Sequence, residues 1–118
     1  MVTRKQLEEY KSCKEELVEL RSAMRQAELA AMESERECDR KRARDMAERY
    51  EAMMEVRADE LAAIEAEIDA LASANQRRAL RLRYVHGLSR TAAAIRMEKS
   101  PESVDKYVAD GIRELEKE

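Results

Sequence analysis

NQRRALRLRYVHGLSRTAAAIRMEKSPESVDKYVADGIRELEKE, residues 75–118, is the stretch on which the reading of this 118-residue chain turns. It holds both glycines (Gly87, Gly111), the only proline (Pro101) and the only histidine (His86). Ser73, just upstream, is suited to cap a helix beginning near Ala74, with Leu80, Tyr84 and Val85 on its apolar face. His86-Gly87 predicts the end of that helix, because glycine readily takes the left-handed backbone found just past a helix. Ser89 then caps a short helix from Arg90 to about Arg96, and Met97-Glu98-Lys99 make a turn. Ser100-Pro101 starts a last helix, where the missing N–H of proline costs nothing at the first helical position. Val104, Tyr107, Val108, Gly111, Ile112 and Leu115 share one apolar face of it. Glu102, Ser103, Asp105, Lys106, Ala109, Asp110 and Arg113 lie opposite, facing outwards. A glycine inside a helix costs about 1 kcal/mol against alanine, so Gly111 predicts a close helix crossing. Two capped helices joined by a short turn predict a helix-turn-helix.

Charge singles out the same region. The chain carries a formal −3, but residues 76–100 hold seven basic residues against Glu98 alone. Residues 1–75 hold 13 basic and 19 acidic side chains, and residues 101–118 hold three and six. A basic block in an acidic chain is either a patch for an anionic partner or a solvated face balancing acidic neighbours.

The first half predicts long helices. No glycine or proline occurs before Gly87, and Glu, Ala, Arg, Leu, Met and Lys dominate. Tyr10, Cys13, Leu17, Leu20, Met24, Ala27 and Ala31 recur at alternating steps of three and four, the seam of a coiled coil or helical hairpin. Ala47, Tyr50, Met54, Leu61, Ile64, Ile68 and Leu71 form a second seam that Arg57 interrupts. The two seams do not share a frame, and residues 33–45 between them are almost without apolar side chains. The expectation is an all-α fold. A long N-terminal antiparallel hairpin or coiled coil covers 1–73, connected near 34–42, and a small three-helix helix-turn-helix domain covers 74–118. A single continuous helix that dimerises with a partner chain is the alternative, since the connection lacks turn residues.

The run Arg40-Lys41-Arg42-Ala43-Arg44, interleaved with acidic residues, reads as a solvated face or loop and less well as a nucleic-acid arm. Met24, Met32, Met46, Met53 and Met54 on or beside the seams read as adaptable core filler. Cys13 falls on a seam and reads as packing; with Cys38 it forms no metal-ligand spacing. No catalytic residue, metal site or cofactor is expected. Carboxylates lie scattered over helix faces, and neither a phosphate loop nor a nucleophile–histidine pair is present. No apolar run reaches membrane-spanning length, so the expectation is a cytoplasmic protein with no membrane partner.

Several elements resemble the C-terminal promoter-reading domain of bacterial sigma factors: Leu80-Arg81-Leu82-Arg83-Tyr84, Gly87-Leu88-Ser89, Ala93 to Ile95, Ser100 to Val104 with Tyr107, and Gly111-Ile112-Arg113-Glu114-Leu115. More narrowly they resemble phage-encoded sigma-like late-transcription regulators of the ArpU/RinA type. The resemblance covers the last 40 or so residues specifically and the first 74 only in style. It implies transcription regulation through double-stranded DNA, with host RNA polymerase as a further partner and the N-terminal helices as a homodimerisation or partner-binding arm. Glu102 matches a family glutamate that accepts a hydrogen bond from cytosine. Pro101 and Asp105 stand where the family favours arginine. The DNA-binding candidates are Arg90, Arg96, Lys99, Ser100, Glu102, Ser103, Lys106 and Arg113, with Arg77 and Arg78 from the preceding helix. Two other functions fit the pattern: a protein-interaction module that binds RNA polymerase or another transcription protein, and a DNA-packaging adaptor like small terminase subunits.

Overall fold

The computed structural model describes residues 2–117. The described residues form five α-helices and no strand. These are α1 (Arg4–Glu33), α2 (Glu37–Asp69), α3 (Ala74–Leu80), α4 (Arg90–Met97) and α5 (Pro101–Glu116), with a π-helical turn, Arg81–Val85, continuing α3. Among the described residues no helix is long and apolar enough to cross a membrane. The chain divides into two compact units, one of Ser12–Glu60 and one of Met1–Lys11 with Leu61–Glu118.

Ser12–Glu60 is a helical hairpin within one chain, so the single continuous helix is not what forms. The reversal occupies only residues 34–36, the start of the expected window. It needs no glycine because side chains satisfy the exposed helix ends. Arg40 donates to the Ser34 carbonyl at 3.3 Å, satisfying a carbonyl just past α1. Glu37, in the first turn of α2, accepts from Arg40 at 2.7 Å and from Arg44 at 3.1 Å. These two guanidinium groups hold the Glu37 carboxyl below its ordinary pKa. The basic run at 40–44 thus helps to build the bend.

Arg57, which breaks the second seam, is an electrostatic link between the two helices. Its Nε lies 3.1 Å from Glu16 on α1, and its Nη1 lies 3.0 Å from Glu60. The Cys13 thiol sits beside it, 3.9 Å from the Arg57 carbonyl and 3.8 Å from Glu60. Burial, and then the Glu60 charge, push that thiol up. Farther along, the seam residues are Ala27 and Ala31 on α1 and Ala47 on α2, all only half-buried. Leu20 is the one buried hydrophobic of this unit among the described residues. The methionine expectation is corrected here: Met32 is 81% exposed and Met53 46%, because both lie off the seam.

The second unit holds the other buried hydrophobics. Its start is fixed by a feature the sequence reading did not single out, a capping box at the head of α1. The Thr3 hydroxyl accepts from the Gln6 N–H at 3.3 Å, and the Gln6 side chain accepts from the Thr3 N–H at 2.9 Å. The Arg4 N–H donates to Glu116 on α5 at 3.0 Å. Val2, Leu7 and Tyr10 are buried in consequence, together with Leu61, Ile64 and Ile68 of α2. Ala79, Leu82, Ala93, Ala94, Met97 and Val104 form the core of the three short helices, with Leu88, Tyr107 and Val108 packed against it.

Gly111 marks where α5 crosses α3. A Cβ placed there would lie 2.9 Å from Leu80 Cδ1 and 3.4 Å from Gln76 Cβ. Leu80 is fully buried, so the crossing distance is set by the absence of that methyl group. Helix α3 does not stop at its expected end in ordinary α-geometry. The wider turn at Arg81–Val85 turns Leu82 and Val85 into the core and leaves Arg81 and Arg83 half-buried. The His86 N–H still reaches the Arg81 carbonyl at 2.9 Å, and Gly87 follows at φ +67°.

Candidate nucleic-acid interface

Helix α4, a tight turn and α5 form the helix-turn-helix. Ser89 caps α4, its hydroxyl accepting from the Ala92 N–H at 3.1 Å. The turn is closed by Glu98 in left-handed backbone at φ 55°, with the Lys99 N–H bonded to the Ala94 carbonyl at 3.0 Å. A non-glycine residue in that conformation costs about 1–2 kcal/mol. Ser100 caps α5 by accepting from the Ser103 N–H at 3.1 Å, and Pro101 takes the first helical position. Glu102 is exposed in the first turn, where the helix dipole favours a carboxylate.

The ten candidate residues separate into three groups. Arg77 and Arg78 face inward chemistry. Arg77 donates to the Leu71 and Ala72 carbonyls, at 2.5 and 3.1 Å. Arg78 donates to the Arg96 carbonyl at 2.6 Å. Both satisfy carbonyls at or just beyond the ends of neighbouring helices. The other arginines of that segment do likewise. Arg81 makes a bidentate pair with Asp69 at 2.8 and 2.7 Å, and Arg83 donates to the Leu88 carbonyl at 2.7 Å. Most of the basic block is therefore engaged in holding helices together.

Arg90, Arg113, Ser100 and Ser103 form the second group, surface residues with internal partners. Arg90 grips Asp105 across the motif, with Nε at 3.0 Å and Nη2 at 2.7 Å from one carboxylate oxygen. This contact raises the Arg90 pKa above its ordinary value. Asp105 is thus the brace between α4 and α5. Arg113 pairs with Asp110 one turn away at 3.3 Å. The Ser100 and Ser103 hydroxyls bond to each other at 2.9 Å.

Arg96, Lys99, Glu102 and Lys106 remain. All four are exposed, and among the described residues none has a side-chain hydrogen bond or ion pair. Arg96 closes α4, Lys99 lies in the turn, and Glu102 and Lys106 lie one turn apart on α5. Three cations and one carboxylate clustered around the start of α5 are the part of the motif free to meet an outside group. Ile95, 74% exposed on α4, stands next to Arg96 in sequence, although its place after three alanines reads as core. No group of described residues could hold a metal ion. No family model, curated protein or solved structure matches the chain.

Proposed function

We propose that the protein is a DNA-binding transcription regulator of the sigma-like, phage or prophage kind, acting on double-stranded promoter DNA through α4 and α5. The observation that carries the reading is the helix-turn-helix whose capped, proline-initiated α5 is bordered by the unpaired cations Arg96, Lys99 and Lys106. Cations position such a motif on phosphates, and Glu102, with a free carboxylate in the first turn, is placed to accept from a cytosine amino group. The hairpin of α1 and α2 serves as a homodimerisation or partner-binding arm. The site of action is the bacterial cytoplasm.

Gel-shift titration across salt tests this. Each lost phosphate contact lowers the log–log salt slope by about 0.9, so Arg96→Ala with Lys99→Ala is expected to weaken binding and lower the slope by about two. Asp105→Ala releases Arg90 and is expected to tighten binding and steepen the slope. A chain that binds no duplex at low salt sinks the proposal.

A second reading has its own support. Ile95 is exposed beside the cations, and the last helix is acidic, which suits docking on a transcription protein such as RNA polymerase. Capture of polymerase that Ile95→Asp abolishes, with duplex binding absent, would favour it.

A further inference from the structure

One face of the Ser12–Glu60 hairpin is a shallow apolar groove with no covering element in the unit. Ala23, Ala27 and Ala30 of α1 line one side, and Met46 and Tyr50 of α2 line the other. Met53 lies two turns beyond Met46 on the same stripe and Val56 continues it, 46% and 53% exposed. Along the groove the seam is rich in alanine and buries little by itself, and Leu20 alone is buried in this unit among the described residues.

The two stripes differ in size and in charge. The α1 stripe is small and acidic: Ala23 and Ala30, with Glu19 two turns before the groove-lining Gln26. The α2 stripe is larger and, apart from Asp39 at its start, basic: Met46, Met53 and Val56, with Arg42 and Arg49 between and before them. Glu19, Arg42 and Arg49 have no side-chain partner among the described residues. Within one chain the contact of Arg57 with Glu16 sets α1 residue 19 level with α2 residues near 53.

We infer that the partner of this face is a second copy of the chain, packed face to face about a two-fold axis running along the hairpin, with the α2 stripe of each copy in the α1 stripe of the other. This rests on the regulator reading, in which the hairpin is the dimerisation arm, and names the surface and the occupant. Methionines then fill the hollows left by alanines, and Arg49 comes within about five residues, or about 7.5 Å, of the level of Glu19 on the other copy. Packing α2 on α2 would bring Arg on Arg and leave alanine facing alanine. Duplex DNA is a poor occupant, since residues 12–60 carry 14 acidic and 10 basic side chains. The face is about 33 Å long and two helices, about 20 Å, wide. Two such faces bury about 1,300 Å², near the lower end of the range of stable interfaces.

Sedimentation equilibrium of the full chain, without DNA, is the test. The expected result is a dimer, weakened at least tenfold by Met46→Glu with Met53→Glu at unchanged helix content. Both side chains are exposed in the single chain, so their loss leaves its fold intact. Geometry is read by oxidation in a Cys13→Ser, Cys38→Ser background. Gln26→Cys mixed with Met46→Cys is expected to give the mixed disulfide in excess over either self-linked product. A monomer at 100-fold the concentration used for gel shifts, a ring, or self-linked Met46→Cys as the main product overturns the inference. A dimer that binds no duplex overturns the regulator reading and leaves the surface standing, whereas a monomer that binds duplex does the reverse.

Discussion

The hairpin unit and the helix-turn-helix unit are built from the same helix-forming alphabet, yet only one of them closes a core. In the helix-turn-helix unit the seam residues of α2 are Leu61, Ile64 and Ile68, all buried, and three short helices lie over a core containing Val104 and Ala93. In the hairpin unit the corresponding positions are Ala47, Tyr50, Met54 and a charged Arg57, all only half-buried, and six large apolar side chains from Val18 to Val56 stay exposed. Helical periodicity is present in both, though more sharply segregated in α5 than in α1 or α2. What differs is the apolar area each position can remove from water, at about 25 cal/mol per Å². A regular seam therefore promises a helix, and the size of its side chains decides whether that helix has finished folding within its own chain.

Paired truncations press this contrast hardest. Leu80→Ala removes a fully buried side chain under Gly111 and is expected to lower unfolding stability by about 3 kcal/mol. Leu29→Ala, at a position 54% exposed, is expected to cost less than about 0.5 kcal/mol. Urea titration of both variants, at a concentration too low for self-association, measures the difference. Equal losses would mean that the hairpin buries Leu29 in solution and that the contrast is false.

A smaller effect is expected at the helix crossing. Gly111→Ala brings about 1 kcal/mol of helix propensity but drives a methyl group against buried Leu80. Overpacking of this kind costs about 1–3 kcal/mol, so a net loss near 1 kcal/mol is expected by thermal or urea melting. A gain in stability would show that Leu80 can move aside, and that glycine is not what sets the distance between α5 and α3.

The smallest effect is electrostatic. The Asp69 carboxyl is held below its ordinary value of 3.8 by its hydrogen bonds to Arg81. A depressed folded-state pKa contributes stability that is complete above the unfolded value and is lost as pH falls through the folded one. Melting temperature recorded as pH falls from 5 through that value should therefore drop less steeply in Asp69→Asn than in the wild type. An identical slope would separate the Asp69–Arg81 pair from the stability of the unit.

Much of the fold could be read in advance from single residues. Ser73, Ser89 and Ser100 cap the three short helices, Gly87 takes a left-handed turn, and Gly111 lies at a close crossing, because each of these signals acts within one turn of helix. The seams on α1 and α2 were legible for the same local reason. The reversal at 34–36 was harder to place. Its carbonyl and helix-start partners come from Arg40 and Arg44, whose side chains look in sequence like part of a solvated face. Glu98 was legible as a turn but not as a left-handed residue, since its conformation is imposed by α4 and α5 packing on either side of it.

The candidate site divides along the same line. Composition locates seven cations in residues 76–100 but cannot assign their partners. Arg77, Arg78, Arg81 and Arg83 reach carbonyls and carboxylates five to eighteen residues away, and Arg90 reaches Asp105 from the next helix. Of the seven, Arg96 and Lys99 are left without a side-chain partner among the described residues, and Lys106 on α5 joins them. Sequence by itself determined the helices, their caps, their apolar faces and the close approach at Gly111, because backbone preference and side-chain period are properties of neighbouring residues. Which cations are free to meet an outside group, and which seam closes a core, only the tertiary structure decided. Both depend on what another helix places within hydrogen-bonding or van der Waals reach.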